Sequence, residues 1–275
     1  MATVSVSWGA AARAVWRGPS GWLLRALATL YELGAFTVIT LGVMLTKFRR
    51  APALIRPMIR EQVWLAGVRL LPMVVFLGLV LGLVVVGQTV ALLTRVGAHD
   101  FIGTVMVVVV MRELGPLLAA LLVLARSGTA TAVELGTVRA LGEVEALESL
   151  GVDPVHYLVV PRVVGLAVAT FCLTTYLVLV TVLSGWVFAF LQDVPLTPGE
   201  YFQQLNGALR VEDFVLLMLK SAAFGIVIAV VSCYQGLARP LHVEEVSRVT
   251  TRAVIEGVVG CVVVDAIFLL GYLLL

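Results

Sequence analysis

Arg112 and Glu113 are adjacent ionisable residues inside an apolar run that extends from Phe101 to Ala125. At the centre of a helix in hydrocarbon each such charge costs about 2.5–3.5 kcal/mol, so charges found there serve to bind, to conduct or to pair. Neighbouring residues on a helix point about 100° apart and cannot neutralise each other side by side. At least one of the two therefore faces a cavity, another helix or a second subunit. Pro116 follows within a turn and weakens the hydrogen-bond ladder beside them.

Lys220 and Asp265 are further charges of opposite sign within apolar segments. Pairing between them lowers the insertion cost of both, which favours a structural role. The competing reading of Arg112 and Glu113 is an ion pair with one of these two. Glu256 stands four residues after Arg252, the spacing of a local helix pair.

Covalent chemistry finds little support. Ser127 lies in an Ala-Arg-Ser-Gly run, but His99, His156 and His242 all fall in connections, and a serine nucleophile needs a base within reach. No phosphate-binding GxxxxGK[ST] loop, HExxH or GxSxG occurs. Cys172, Cys233 and Cys261 form no CxxC pair, which argues against a disulfide framework or zinc site and for small core residues.

A second candidate lies between Gly128 and Pro161. Val144, Leu147 and Leu150 recur at helical spacing among Glu143, Glu145 and Glu148, and Gly151 with the Asp153-Pro154 turn ends the pattern. An acidic amphipathic helix is repelled by anionic lipid headgroups. Its apolar side is therefore expected to meet a protein, either a partner or the base of its own bundle.

The elements that position these residues follow from composition. Hydrophobic residues make up 61% of the 275 and charged ones 13%, against about a quarter charged in soluble domains. Apolar stretches at Met73–Leu93, Phe101–Met111 with Leu114–Ala125, Val163–Leu191, Phe214–Ser232 and Val254–Leu275 approach or exceed the roughly 20 residues that cross hydrocarbon. The fold class is all-α membrane protein with five transmembrane helices. Residues 22–48 are apolar but carry Arg25 and Glu32, which with Thr29 share one face. That favours an N-terminal helix lying in the interface over a sixth span.

Cationic residues cluster before the first span (Lys47, Arg49, Arg50, Arg56, Arg60), in the third connection (Arg126, Arg139, Arg162) and in the fifth (Arg239, Arg248, Arg252). The alternate connections hold only Arg95 and Arg210. Positive loops stay in the cytoplasm, which places the N-terminus inside and the C-terminus outside. The net charge of +2, without a basic tract, argues against nucleic acid. Gly78 and Gly82, four apart in the first span, permit close helix approach, either within the chain or between copies.

Four stretches together resemble the MlaE/YrbE permeases of MCE-type lipid ABC transporters, over roughly residues 20–275. They are Arg112-Glu113-Leu114-Gly115-Pro116, Glu134-Leu135-Gly136-Thr137, the run from Glu143 through Gly151-Val152-Asp153-Pro154 to Val159-Val160-Pro161-Arg162, and Ser247 to Val254. The chain departs from the family at Ala125, where a Gly is frequent, and at Glu143, where a Gln is. The resemblance implies a single permease domain over 1–275, with an interfacial region at 1–50 and a bundle over 58–275. It implies no catalysis and no cofactor in this chain. ATP and Mg would be bound by a cytoplasmic MlaF-like ABC ATPase. That ATPase would dock on a coupling helix formed by Glu143, Val144, Glu145, Leu147, Glu148, Leu150, Asp153 and Pro154.

By the same resemblance, Arg112 and Glu113 line a lipid cavity at the centre of a homodimer. Further expected partners are a periplasmic MlaD-like MCE protein, an MlaB-like STAS protein and membrane lipid. The implied function is ATP-driven transport of a lipid, a phospholipid first among cargoes, between the bacterial inner membrane and the periplasm or outer membrane, maintaining outer-membrane lipid asymmetry. The alternative is a non-transporting scaffold that anchors the ATPase and the MCE protein.

Overall fold

The computed structural model describes residues 31–44, 52–98, 101–191, 198–237 and 242–274, all helical or in short connections, with no strand among them. Five helical segments are long and apolar enough to span a bilayer: Ile55–Arg95, Ile102–Ala140, Val155–Phe188, Val211–Leu237 and Val246–Tyr272. A shorter apolar helix, Tyr31–Met44, precedes them. At 1.5 Å per residue its described residues extend about 21 Å. Arg25 and Thr29 lie outside the described residues.

The third span is the axis of the bundle. Its Leu166, Ala169, Leu173 and Leu177 recur every three or four residues and are fully buried. They meet Ala119, Ala120 and Val123 of the second span and Phe224 and Ile228 of the fourth. Hydroxyls buried on this helix are satisfied locally: Thr170, Thr174 and Thr181 donate to the carbonyls of Leu166, Thr170 and Leu177 at 2.7–2.8 Å. These three donors are thus satisfied within their own helix, as a dry interior requires.

First and third spans run parallel in one register. A Cβ added at Gly67, Gly78 or Gly82 would meet Ala169, Val180 or Ser184, in each case the residue 102 positions on. At Gly82 the gap to Ser184 Oγ would be 1.9 Å, and to the backbone oxygen of Thr181 2.8 Å. The Gly78 and Gly82 pair therefore serves packing within the chain. The first span breaks at Val68–Leu70, a single turn of 3₁₀ helix ahead of Pro72, as a proline early in a helix allows.

The second helix continues well past the apolar run, to Ala140, so that Gly128–Ala140 is helix where the sequence suggested a connection. Its 39 residues extend about 58 Å, nearly twice the hydrocarbon thickness, and its last turns must project from the membrane. Gly142, at φ 76°, starts the short helix Glu143–Ser149, and Gly151, at φ 74°, follows its end. Both positions use the left-handed conformation open to glycine.

Candidate functional site

Five ionisable side chains from three spans form one connected cluster. Arg112 Nη2 lies 2.7 Å from Asp213 Oδ1. Lys220 Nζ lies 3.0 Å from Glu113 Oε2 and 2.8 Å from Asp265 Oδ1. Lys220 Nζ also donates to the Arg112 carbonyl at 2.8 Å. The guanidinium of Arg112 sits over the ring of Tyr272, 4.5 Å from its centroid, within the range of a cation–π contact. Arg112, Lys220 and Asp265 each lie about 11 to 15 Å, at 1.5 Å per residue, from the end of the bundle that Ile102, Val211 and Tyr272 share.

Local backbone chemistry creates this geometry. Residues Val107–Leu114 form a π-helical segment ending just before Gly115-Pro116. Such segments are rare and re-aim side chains by widening the turn. Pro116 lacks the N–H that would reach back to the Arg112 carbonyl, and the Lys220 ammonium takes its place. Asp213 sits in the first turn of the fourth span, where its Oδ2 accepts from the Arg210 N–H at 2.9 Å. One carboxylate thus caps a helix and pairs a cation.

Exposure divides the cluster. The side chains of Asp213 and Lys220 are 1% and 6% accessible, whereas Glu113 is 34% accessible. The cleft that Arg112, Glu113, Asp213, Lys220, Phe268 and Tyr272 line has a volume of about 30 Å³, the share of roughly one water molecule. The enclosed part of this cleft in a single copy of the chain is small beside a lipid headgroup.

The sequence-based pairing of Lys220 with Asp265 is observed, and so is the contact of the Arg112–Glu113 pair with that region. The two proposals are not alternatives, since Lys220 bridges Glu113 and Asp265. Asp213 and Tyr272 escaped sequence reasoning. An acid in a first turn looks like an ordinary helix start, and a tyrosine near a span end like an interfacial anchor, so neither carried a distinguishing signal. The expected Arg252–Glu256 pair is absent among the described residues, because Glu256 accepts from Gln235 Nε2 of the fourth span.

At the opposite end, the short acidic helix packs through Val144, which is buried, and Leu147, which is partly buried. Leu150 is 77% exposed and, with Leu141 and Val152, faces outward. Glu145 pairs with Arg139 at 3.1 Å. Asp153 Oδ1 accepts the Val155 N–H at 3.1 Å and starts the third span, with Pro154 at its N-cap. Arg162, counted in the sequence as a cation of the third connection, is 6% exposed. It holds Glu134 at 3.0 Å and the Leu158 carbonyl at 2.7 Å, joining the projecting end of the second helix to the third. Cys233 and Cys261 are buried as expected, while Cys172 is exposed on the third span.

The family model described as Permease MlaE matches residues 59–270. A probable ABC transporter permease protein of Rickettsia bellii (strain RML369-C) is 30% identical over 233 residues, covering 85% of this chain and 89% of its own. Protein TRIGALACTOSYLDIACYLGLYCEROL 1, chloroplastic, of Arabidopsis thaliana is 33% identical over 177 residues, covering 62% and 49%. A probable ABC transporter permease protein of Synechocystis sp. (strain ATCC 27184 / PCC 6803 / Kazusa) is 32% identical over 164 residues, covering 60% and 62%.

Proposed function

The chain belongs to the MlaE permease family, and from that premise we propose that it is the membrane subunit through which an ATP-driven transporter moves a two-tailed lipid. The observation that carries this reading is the charge cluster in an otherwise apolar bundle, with Glu113 at its accessible edge and Arg112 beside it. A lipid has an ionic head and apolar tails, and such a wall offers a place to each. The name of the Arabidopsis relative is that of a galactosylated diacylglycerol, which fits a cargo of this class. Because the cleft in one copy is water-sized, the cavity would form between two copies, as a homodimer provides.

Energy must enter from elsewhere, since the chain has no phosphate-binding loop. A cytoplasmic ABC ATPase would supply it through the helix Glu143–Ser149. The residues flanking that helix, Leu141, Leu150 and Val152, are exposed, as are Glu143 and Glu148 within it, a mixture of apolar and charged groups suited to a protein groove. Arg139 and Arg162 link this region to the second and third spans, so movement of the short helix would be passed to the bundle. The positive-loop pattern puts this end in the cytoplasm and the charge cluster toward the periplasm of an inner membrane. There an MCE protein would continue the lipid path, with a STAS protein as the ATPase's companion.

One observation favours the scaffold alternative: every charge of the cluster already has a partner within the chain. Lipid transfer between vesicles by the reconstituted complex separates the two. Glu113→Gln, and Arg112→Ala combined with Asp213→Ala so that no partner is left unpaired, are expected to assemble with the ATPase yet lose transfer. Undiminished transfer by both variants would refute the cavity assignment.

A further inference from the structure

A second cleft lies far from the charge cluster, between helix Tyr31–Met44 and the third and fourth spans. Its volume is about 160 Å³. Thr40, Val163 and Val230 form its buried back wall, and Leu41 and Val168, 44% and 43% exposed, stand at its mouth. Among the described residues, the only polar side chains in the lining are those of Thr37 and Thr40. Both are turned onto their own helix, donating to the carbonyls of Leu33 at 2.7 Å and Phe36 at 2.8 Å. No donor or acceptor therefore points into the space.

Water needs two or more polar partners to occupy a cavity, and apolar cavities of about 150 Å³ stay dry and take up apolar guests. The cleft is bounded by two spans and opens sideways, where the surrounding solvent is acyl chain. Near its start this helix is held by the Tyr234 hydroxyl bond to Glu32 and by an edge contact of the Tyr234 and Phe36 rings at 5.7 Å. Beyond Phe36 a gap separates it from Val164, Ala167 and Ile226. We infer that this cleft holds a segment of one acyl chain of a resident membrane lipid, lodged between the helix and the third and fourth spans. This lipid is distinct from any cargo at Arg112 and Glu113, and the inference does not depend on transport.

The test uses the full chain in liposomes of phosphatidylethanolamine and phosphatidylglycerol, doped with a phosphatidylglycerol that carries a diazirine on one acyl chain. Adducts are located by mass spectrometry after irradiation. Leu41 and Val168 are expected to carry more label than Phe76 of the first span and Val259 of the fifth, although both of these are more exposed. Filling the cleft from either wall, by Val164→Phe or Thr37→Leu, is expected to abolish the excess while leaving Phe76 and Val259 labelled as before. Labelling at Leu41 and Val168 no greater than at the stronger control, or an excess that survives both substitutions, overturns the inference.

Discussion

Lys220 Nζ lies 2.8 Å from the carbonyl oxygen of Arg112, the acceptor that Pro116, four residues further on, has no N–H to satisfy. The same ammonium neutralises Glu113 and Asp265. Lys220→Met leaves two carboxylates and a carbonyl without their cation and should cost about 3–5 kcal/mol, the range for breaking a buried pair from one side. Pro116→Ala restores an N–H to the helix. In the Lys220→Met background it should recover about 1 kcal/mol more, one hydrogen bond's worth, than in the native chain, where the carbonyl is already occupied. Unfolding midpoints of the four variants in detergent measure this coupling, and equal effects of Pro116→Ala in both backgrounds would count against it.

Gly82 faces Ser184 so closely that any Cβ collides. Gly82→Ala is expected to destabilise by about 1–3 kcal/mol, as overpacking does. Adding Ser184→Gly should restore only part of the loss, because the Thr181 backbone oxygen at 2.8 Å remains in the way. Thermal stability of the single and double variants decides it; complete rescue would mean that the backbone contact is unimportant.

Leu150 is exposed and touches none of the core that Val144 and Leu147 join. Leu150→Glu should therefore leave the unfolding midpoint within about 0.5 kcal/mol of native, as surface changes do, while weakening retention of the ATPase during co-purification. Full retention would remove Leu150 from the proposed docking surface.

Tyr201, in the helix Pro198–Ala208 between the third and fourth spans, is buried, and its hydroxyl donates to the Val182 carbonyl at 3.3 Å. Burial pushes its phenol up to about 12. The folded state thus prefers the protonated form more strongly than the unfolded state does, so the contribution is complete below the ordinary value near 10 and is lost as pH rises from there toward 12. Stability of the native chain should fall over that window. Tyr201→Phe should show a shallower fall, and identical pH profiles would exclude the phenol as the cause.

Much of the architecture was legible in the residue order because its causes are local. Apolar length specifies spans, so Met73–Leu93 and Val163–Leu191 were recognisable, although the helices run on to Arg95 and begin as early as Val155. The acidic helix was readable from Glu143 to Leu150 because Gly151 marks its end, and a glycine at positive φ needs only its own backbone to do so. The charges that require explanation, Arg112, Glu113, Lys220 and Asp265, were visible as isolated ionisable residues in apolar runs. What no local signal carried was their assortment. Arg112 takes Asp213, Glu113 takes Lys220, and Arg162 is buried against Glu134, because those choices depend on the rotation and register of separate helices against one another. The amino-acid order by itself determined a five-span permease with charges that could not be left unpaired in hydrocarbon. Only tertiary packing, with the second and fourth spans brought close to the third at Gly115 and Gly225 and with the π turn before Pro116, decided which charge meets which and which of them stays open to a ligand.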